Sequence, residues 1–527
     1  MKVLVSDSIA PEALDRLKGM EGLTVDFSPG LSPQELAAHL ADAEGIIIRS
    51  GTKLTAEALA AAPRLRAVVR AGVGVDNVDV AAASRRGIIV MNTPGGNTVS
   101  TAEQTMALLL GMSRNTYPAC RSLKAGQWER KKFMGSQLAG KSIGIIGLGR
   151  IGLEVARRAN AFGMKAVGFD PYVSAERAKD YQVAVVGELD ELLAAADYIS
   201  LHVPHTDETH HMLGPQQFAK MKDGVRVLNC ARGGVVDEAA LAEAVRSGKV
   251  AGAALDVYEQ EPPTHRELLE MEQVLCTPHL GASTEEAQLS VAMEAVDQMA
   301  DALLRGRIRN AVNVPAMEPS EAEALAPYCE LGRDLGLLHT HLVRQVPQAV
   351  EVVFAGEAAK LNSRIITAHV LAGILDPVLE EELNYINAPY LAEERGIRFT
   401  ESRTPHTENF TAVLSLRSTV DGEEHEMAGT IVGKGEPRIV VVDGYRVEAM
   451  TRGPLLVIFA EDKPGLIGNV GHVLGQRGIN IAAMTFGRRS AGGQAITVLN
   501  LDVPADEAAL EAIRAIPHVR QARSVTF

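Results

Sequence analysis

Cysteine is scarce in this chain: four residues in 527, scattered along the sequence. They are too few and too dispersed for a disulfide framework or a zinc site, so a reducing, cytoplasmic setting is expected. Basic charge is also short. With 52 Lys and Arg against 66 Asp and Glu, the formal net charge is −14, which argues against a general nucleic-acid binder. No window is long and apolar enough to span a bilayer. The opening Met1-Lys-Val-Leu-Val-Ser-Asp7 is strand-like and lacks the apolar core and cleavage site of a signal peptide. The charge deficit sets a constraint: an anionic substrate must be gripped by a few locally concentrated Arg or Lys residues.

What is present is led by Gly147-Leu-Gly-Arg-Ile-Gly152. A short apolar strand precedes it and a helix from Leu153 to Phe162 is expected after it. Gly147 permits a tight turn, Gly149 lets backbone approach a pyrophosphate, and Gly152 lets helix pack on strand. The free N–H groups and partial positive charge of the helix N-terminus suit phosphates. A second strand, Ala166-Val-Gly-Phe-Asp170, ends in an acid at the spacing that grips an adenosine ribose. No Arg beside Asp170 offers to hold a 2′-phosphate, so NAD is expected rather than NADP.

Length alone predicts two to four domains. Residues 1–95 alternate buried-type strands such as Gly45–Arg49 and Arg66–Arg70 with helical stretches, a βαβ pattern that implies a parallel sheet. A long helix follows the turn cluster Asn92-Thr-Pro-Gly-Gly-Asn97, with a capping box expected at Ser100 and Glu103. The expected division is a substrate-binding domain of 1–95 plus 285–314, an inserted Rossmann domain of 96–284, an α+β domain of 320–452 and a C-terminal unit of 453–527. A helix over 284–304 returns the chain to the first domain, and Val312–Pro319 reads as a linker. The last unit shows a β-α-β-β-α pattern. The fold class is α/β, with two doubly wound parallel-sheet domains followed by α+β domains.

Three segments each put a polar residue just beyond a strand, at the edge where open parallel sheets hold ligands. They carry Arg232, Glu261 and His279. Oxidation of a secondary alcohol by NAD needs a group to take the hydroxyl proton and a cation to hold the acid. His279 suits the first task because imidazole titrates near neutrality. Glu261 can orient it, and Arg232 can fork onto a carboxylate with two parallel hydrogen bonds. A substrate with a second anionic group would need a second cationic patch; Arg49 is the first candidate and Arg70 the second. Arg130, Lys131 and Lys132 could contribute from a neighbouring subunit. His202, His205, His210 and His211 span a strand end and a polar loop, and no metal is expected there.

Four of these segments, Gly147–Gly152, Asn229-Cys-Ala-Arg-Gly-Gly234, Ala254-Leu-Asp-Val257 and Pro278-His-Leu-Gly-Ala-Ser283, resemble the signatures of the D-isomer-specific 2-hydroxyacid dehydrogenases. Val69-Arg-Ala-Gly-Val-Gly-Val-Asp-Asn77, Met91-Asn-Thr-Pro94 and Trp128-Glu-Arg-Lys-Lys-Phe133 are similar to the long, phosphoglycerate-oxidising branch of that family. The region 320–452 resembles the branch's intervening, allosteric substrate-binding-like domain, and the C-terminal unit resembles a ferredoxin-like ACT domain.

The resemblance implies NAD-dependent oxidation of D-3-phosphoglycerate to 3-phosphohydroxypyruvate, the first step of L-serine synthesis, in a homotetramer or homodimer. It assigns catalysis to Arg232, Glu261 and His279. Asp256 would bind the nicotinamide carboxamide, and Arg150 with Ile151 the pyrophosphate. Val203, Cys230, Gly281 and Ala282 would line the cofactor site, while Arg49, Ser50, Val73 and Asn97 would reach the cleft from the first domain. Val73 stands where some relatives carry a hydrogen-bonding Thr. In the ACT-like unit, Asp462 and Asn480, each expected to follow one of two adjacent strands, would bind L-serine as an effector between paired domains.

Overall fold

Runs such as Gly45-Ile-Ile-Ile48 are apolar at every position, so they suit strands covered on both faces, as parallel sheets require. In the computed structural model, which describes all residues except 315–318, 380–382 and 408, five such strands form the first sheet. Its order is Thr24–Phe27, Lys2–Val5, Gly45–Ile48, Ala67–Arg70, Ile89–Asn92, all parallel. Helix Glu285–Arg305 returns to this sheet and packs Val291, Ala295 and Met299 onto Val3, Val5 and Ile47. Gly45 is needed for that approach, because a Cβ there would lie 2.5 Å from Met299 Sδ.

The second sheet has seven parallel strands in the order Val274–Cys276, Val250–Leu255, Val225–Asn229, Tyr198–Leu201, Ser142–Ile146, Lys165–Phe169, Val183–Val185. Strand order reverses between Ser142–Ile146 and Tyr198–Leu201, which opens the ligand crevice beyond their C-terminal ends. Helix Thr98–Ser113 packs here, its Ala102, Met106 and Leu109 joining Ile143 and Ile145 in one core. The expected capping box does not form. The helix begins at Thr98 with Asn97 as N-cap, which puts Ser100 inside the first turn. There the Ser100 hydroxyl donates to the carbonyls of Asn97 (3.1 Å) and Gly281 (2.9 Å). The helix after the glycine loop runs Arg150–Ala161 and so encloses Gly152.

Beyond the expected linker, of which residues 315–318 lie outside the described residues, helix Pro319–Val343 opens the third unit. It lies against helix Ser363–Leu375 at very small residues. A Cβ on Gly336 would come within 2.2 Å of Val370 O, and one on Gly373 within 2.0 Å of Arg333 O. Both helices cover a six-stranded sheet ordered Arg398–Thr404, Ala349–Gly356, Ala412–Val420, Glu423–Val432, Glu436–Val442, Tyr445–Met450. Only the first pair of that sheet is parallel.

The last unit adds a strand, Val519–Thr526, to the expected pattern and completes a β-α-β-β-α-β sheet ordered Ile481–Arg488, Gln494–Leu501, Pro454–Glu461, Val519–Thr526. Its first strand is apolar on both faces for a visible reason. Leu455 and Val457 enter the core of the third unit, while the alternate Leu456 and Ile458 meet the unit's own helices. The third and fourth units therefore share one core. Among the described residues no helix is long and apolar enough to cross a membrane.

Candidate active site

The glycine loop is built as a cradle. Gly147 has φ 94°, and a Cβ there would sit 2.5 Å from His202 O; one on Gly152 would sit 2.0 Å from Gly147 O. Around Gly149 a Cβ would meet nothing within 4 Å, and no side chain caps the helix it begins. The helix N-terminus thus faces open space with its N–H groups unclaimed by a cap, which fits a pyrophosphate. Asp170 braces the loop: one carboxylate oxygen accepts from Leu148 N and the other from Tyr172 N, both at 2.8 Å. Arg150 and Ile151 fill the first helical turn. Val203 and Cys230 follow the strands Tyr198–Leu201 and Val225–Asn229. Burial pushes the Cys230 thiol up to about 12, so it is a neutral wall and no nucleophile.

His279 stands on the loop after strand Val274–Cys276 in a left-handed conformation, φ 56°. Asp256, fully buried, fixes that loop. It accepts from Thr277 Oγ1 at 2.5 Å and from the backbone N of Leu280 and Gly281, both at 2.8 Å. His279 Nδ1 meets both Glu261 oxygens, at 2.9 and 3.1 Å. Nε2 is left without a partner among the described residues, free for a substrate hydroxyl. Ala282 continues this loop, and its carbonyl accepts from Gln288 Nε2.

The third segment is tied to the same cluster. The buried Asn229 side chain donates to Arg232 O (2.9 Å) and accepts from Ala231 N (3.0 Å). Gly233 has no room for a side chain, since a Cβ would fall 1.7 Å from Tyr258 O. Tyr258 N in turn donates to Glu261. Arg232 reaches out to the first unit, its Nε lying 3.5 Å from Asp76 Oδ2, and a Cβ on Gly74 would strike its Nη2 at 2.4 Å. Asp76 escaped the sequence reading, although it lies inside the quoted run 69–77.

Arg70 is the more telling cation of the first unit. Burial, and then repulsion from the Arg232 guanidinium, lower its pKa to about 10. Its Nε is buried without a partner. Arg49 is already partly spent: its backbone N donates to Asp7, and its Nη1 to Ser8 O at 3.0 Å. Ser50 is exposed beside it. The Val73 carbonyl accepts from Asn92 Nδ2, and Asn97 leaves a buried Oδ1 unpartnered among the described residues.

The effector pair is not brought together within one chain. Asp462 follows the first strand of the last unit, where it takes bonds from Arg488 Nη1 (2.7 Å) and Gly492 N (3.1 Å) that hold its carboxyl below the usual range. Asn480 precedes the second strand and donates to Asp502 at 2.8 Å. Those two strands are not neighbours, because Gln494–Leu501 lies between them. Glu461 pairs with Gln494 and Ile481 with Leu501, so the two residues sit at opposite ends of an eight-residue strand, about 25 Å apart. The histidines lie beside the active-site loops, with His211 Nε2 meeting Glu259 at 3.0 Å. His205 Nε2 meets His210 Nδ1 at 3.1 Å, His210 stacks on His211, and His202 bonds Ser200. Among the described residues no cluster of ligands suited to a metal ion forms.

Comparison with known proteins agrees with this geometry. Residues 106–281 match the D-isomer specific 2-hydroxyacid dehydrogenase NAD binding domain, 324–443 the D-3-phosphoglycerate dehydrogenase intervening domain, and 455–518 the ACT domain. D-3-phosphoglycerate dehydrogenase of Archaeoglobus fulgidus is 45% identical over 97% of this chain and 97% of its own length. That of Methanocaldococcus jannaschii is 42% identical over 99% and 98%. Among solved structures, D-lactate dehydrogenase of Aquifex aeolicus complexed with NAD and lactic acid superposes with a TM-score of 0.52 at 31% identity, covering 60% of this chain and 100% of that one. The cradle thus belongs to an NAD-binding domain, and the chain belongs to the D-3-phosphoglycerate dehydrogenase family of D-isomer-specific 2-hydroxyacid dehydrogenases.

Proposed function

We propose that the protein oxidises D-3-phosphoglycerate to 3-phosphohydroxypyruvate with NAD. The carrying observation is the pair of guanidiniums, Arg232 and the buried Arg70, grouped in a chain of net charge −14. Bound NAD would supply the hydride acceptor, held by the loop Gly147–Gly152, Arg150, Ile151 and Asp170. Val203, Cys230, Gly281 and Ala282 would line its site, and Asp256, which fixes the histidine loop, would bind the carboxamide. Arg232 forks onto the substrate carboxylate in place of Asp76. His279 Nε2 takes the hydroxyl proton, and Glu261 on Nδ1 orients the ring and stabilises the imidazolium. Arg70 takes the phosphate, with Arg49 second, and Ser50, Val73 and Asn97 complete the cleft.

In the same proposal the units are 1–95 with 285–314, 96–284, 320–452 and 453–527. L-serine binds between the last units of two copies, Asp462 from one and Asn480 from the other. The assembly is a homodimer or homotetramer, for which the exposed Trp128 (77%) and Met134 (81%) supply an apolar contact strip. The setting is cytoplasmic. Steady-state rates with D-3-phosphoglycerate and D-glycerate test the substrate. Losing two charge-assisted contacts of about 1.5 kcal/mol each predicts kcat/KM roughly 100-fold lower without the phosphate. Equal values favour a hydroxypyruvate or glyoxylate reductase instead.

A further inference from the structure

Away from the dehydrogenase cleft, a cavity of about 480 Å³ opens where the third unit meets the first. That volume is typical of small-molecule pockets. Asn313 closes it from the first unit's side, anchored by bonds to Val90 N (2.9 Å), Ile88 O (2.8 Å) and Ser84 Oγ (3.0 Å). Most of the wall is apolar or aromatic, with Ile365 and Ala368 on one helix, Ile386 and Pro389 near the next, and Phe399 on the edge strand. Tyr385 is held rigid by stacking on His369, with ring centroids 5.5 Å apart.

Three polar groups in this wall have no partner among the described residues. Thr367 is 2% exposed, yet its hydroxyl is unbonded, an unfavourable state that a ligand would relieve. Arg364, three positions earlier on the same helix face, makes no ion pair or hydrogen bond, and neither does the Glu393 carboxylate. Glu401 spends one oxygen on Ser363 Oγ and keeps the other. One guanidinium beside two carboxylates repels a simple anion and leaves Arg364 unmatched by a simple cation. A zwitterion satisfies both signs.

We propose that this cavity binds a free α-amino acid with an aromatic side chain. Its carboxylate pairs with Arg364 and accepts from Thr367, its ammonium faces Glu393 and Glu401, and its ring packs among Tyr385, Ile365 and Phe399. The inference does not depend on the dehydrogenase reading, because its readout is binding.

The test is calorimetric titration of L-phenylalanine into the full chain carrying Asp462→Ala, which removes the proposed effector site from the count. One saturable site per chain is expected. Arg364→Met, a surface change, and Ala368→Phe, which fills the pocket, should each weaken it about 10-fold or more. 3-Phenylpropionate and phenethylamine, each lacking one charge, should bind more weakly than L-phenylalanine. No saturable binding, full binding in Arg364→Met, or equal binding of 3-phenylpropionate would overturn the proposal. If Ala368→Phe unfolds, Arg364→Met decides.

Discussion

His279 and Glu261 owe their pairing to three loops that no single segment encodes. Asp256 pins the loop of His279, Tyr258 donates to Glu261, and Gly233 admits the Tyr258 carbonyl. His279→Ala should therefore lower kcat about 1,000-fold while NAD affinity, measured by fluorescence titration, stays near that of the parent. Near-parental turnover would remove His279 from proton transfer. Arg70→Met should raise KM for D-3-phosphoglycerate about 10-fold or more with kcat little changed, the pattern of a lost binding contact. The contact of Glu261 with His279 and the strand–glycine–helix cradle were legible from spacing. The environments of Arg49 and Arg70 were not, because both simply end a strand in sequence. What separates them is a property of the folded neighbourhood: Arg49 Nη1 donates to Ser8 O, whereas Arg70 Nε is buried without a partner among the described residues.

At the scale of elements, helix Pro319–Val343 carries a titratable liability. Asp334 is 9% exposed, one of its oxygens has no partner, and burial pushes its carboxyl up to about 7. In the unfolded chain it titrates near 4. The folded form thus holds its proton over a window where the unfolded form has lost it. The associated stability is fully present below about pH 4 and is lost as pH rises through about 7, by roughly 1.4 kcal/mol per unit. Asp334→Asn, neutral throughout, should escape this loss. Denaturant unfolding should show it more stable than the parent at pH 8, by up to about 4 kcal/mol, and similar at pH 4. An offset independent of pH would contradict the assignment. Apolar runs made the parallel strands legible, but two local signals misled. Ser100 and Glu103 match a capping box yet lie within a helix that starts earlier at Asn97. The strand Val519–Thr526 carries three basic or amide side chains on a half-exposed edge, so it lacked a strand's alternation.

For the whole molecule, the shared core of the last two units decides how regulation can be probed. Cutting the chain at 452 would open the core that Leu335, Val352 and their neighbours share with Leu455 and Val457. Point variants are cleaner. L-serine should inhibit the intact chain, and Asp462→Ala or Asn480→Ala should abolish inhibition. Because the two residues lie at opposite ends of one sheet, mixed assemblies of the two variants should regain part of it, one site of each pair being intact. No recovery in mixed assemblies would contradict a site built from two copies. The modular order was readable from motif positions, whereas the continuity of the core across 452 was not, since both faces of Pro454–Glu461 read simply as apolar.

The central claim is that one cleft moves a hydride from the substrate's hydroxyl-bearing carbon to NAD while His279 takes the proton. D-3-phosphoglycerate carrying deuterium at that carbon tests it directly. The account predicts deuterated NADH formed in step with 3-phosphohydroxypyruvate, and none in His279→Ala on the same timescale. Unlabelled NADH, or no NADH with this substrate at all, would contradict it.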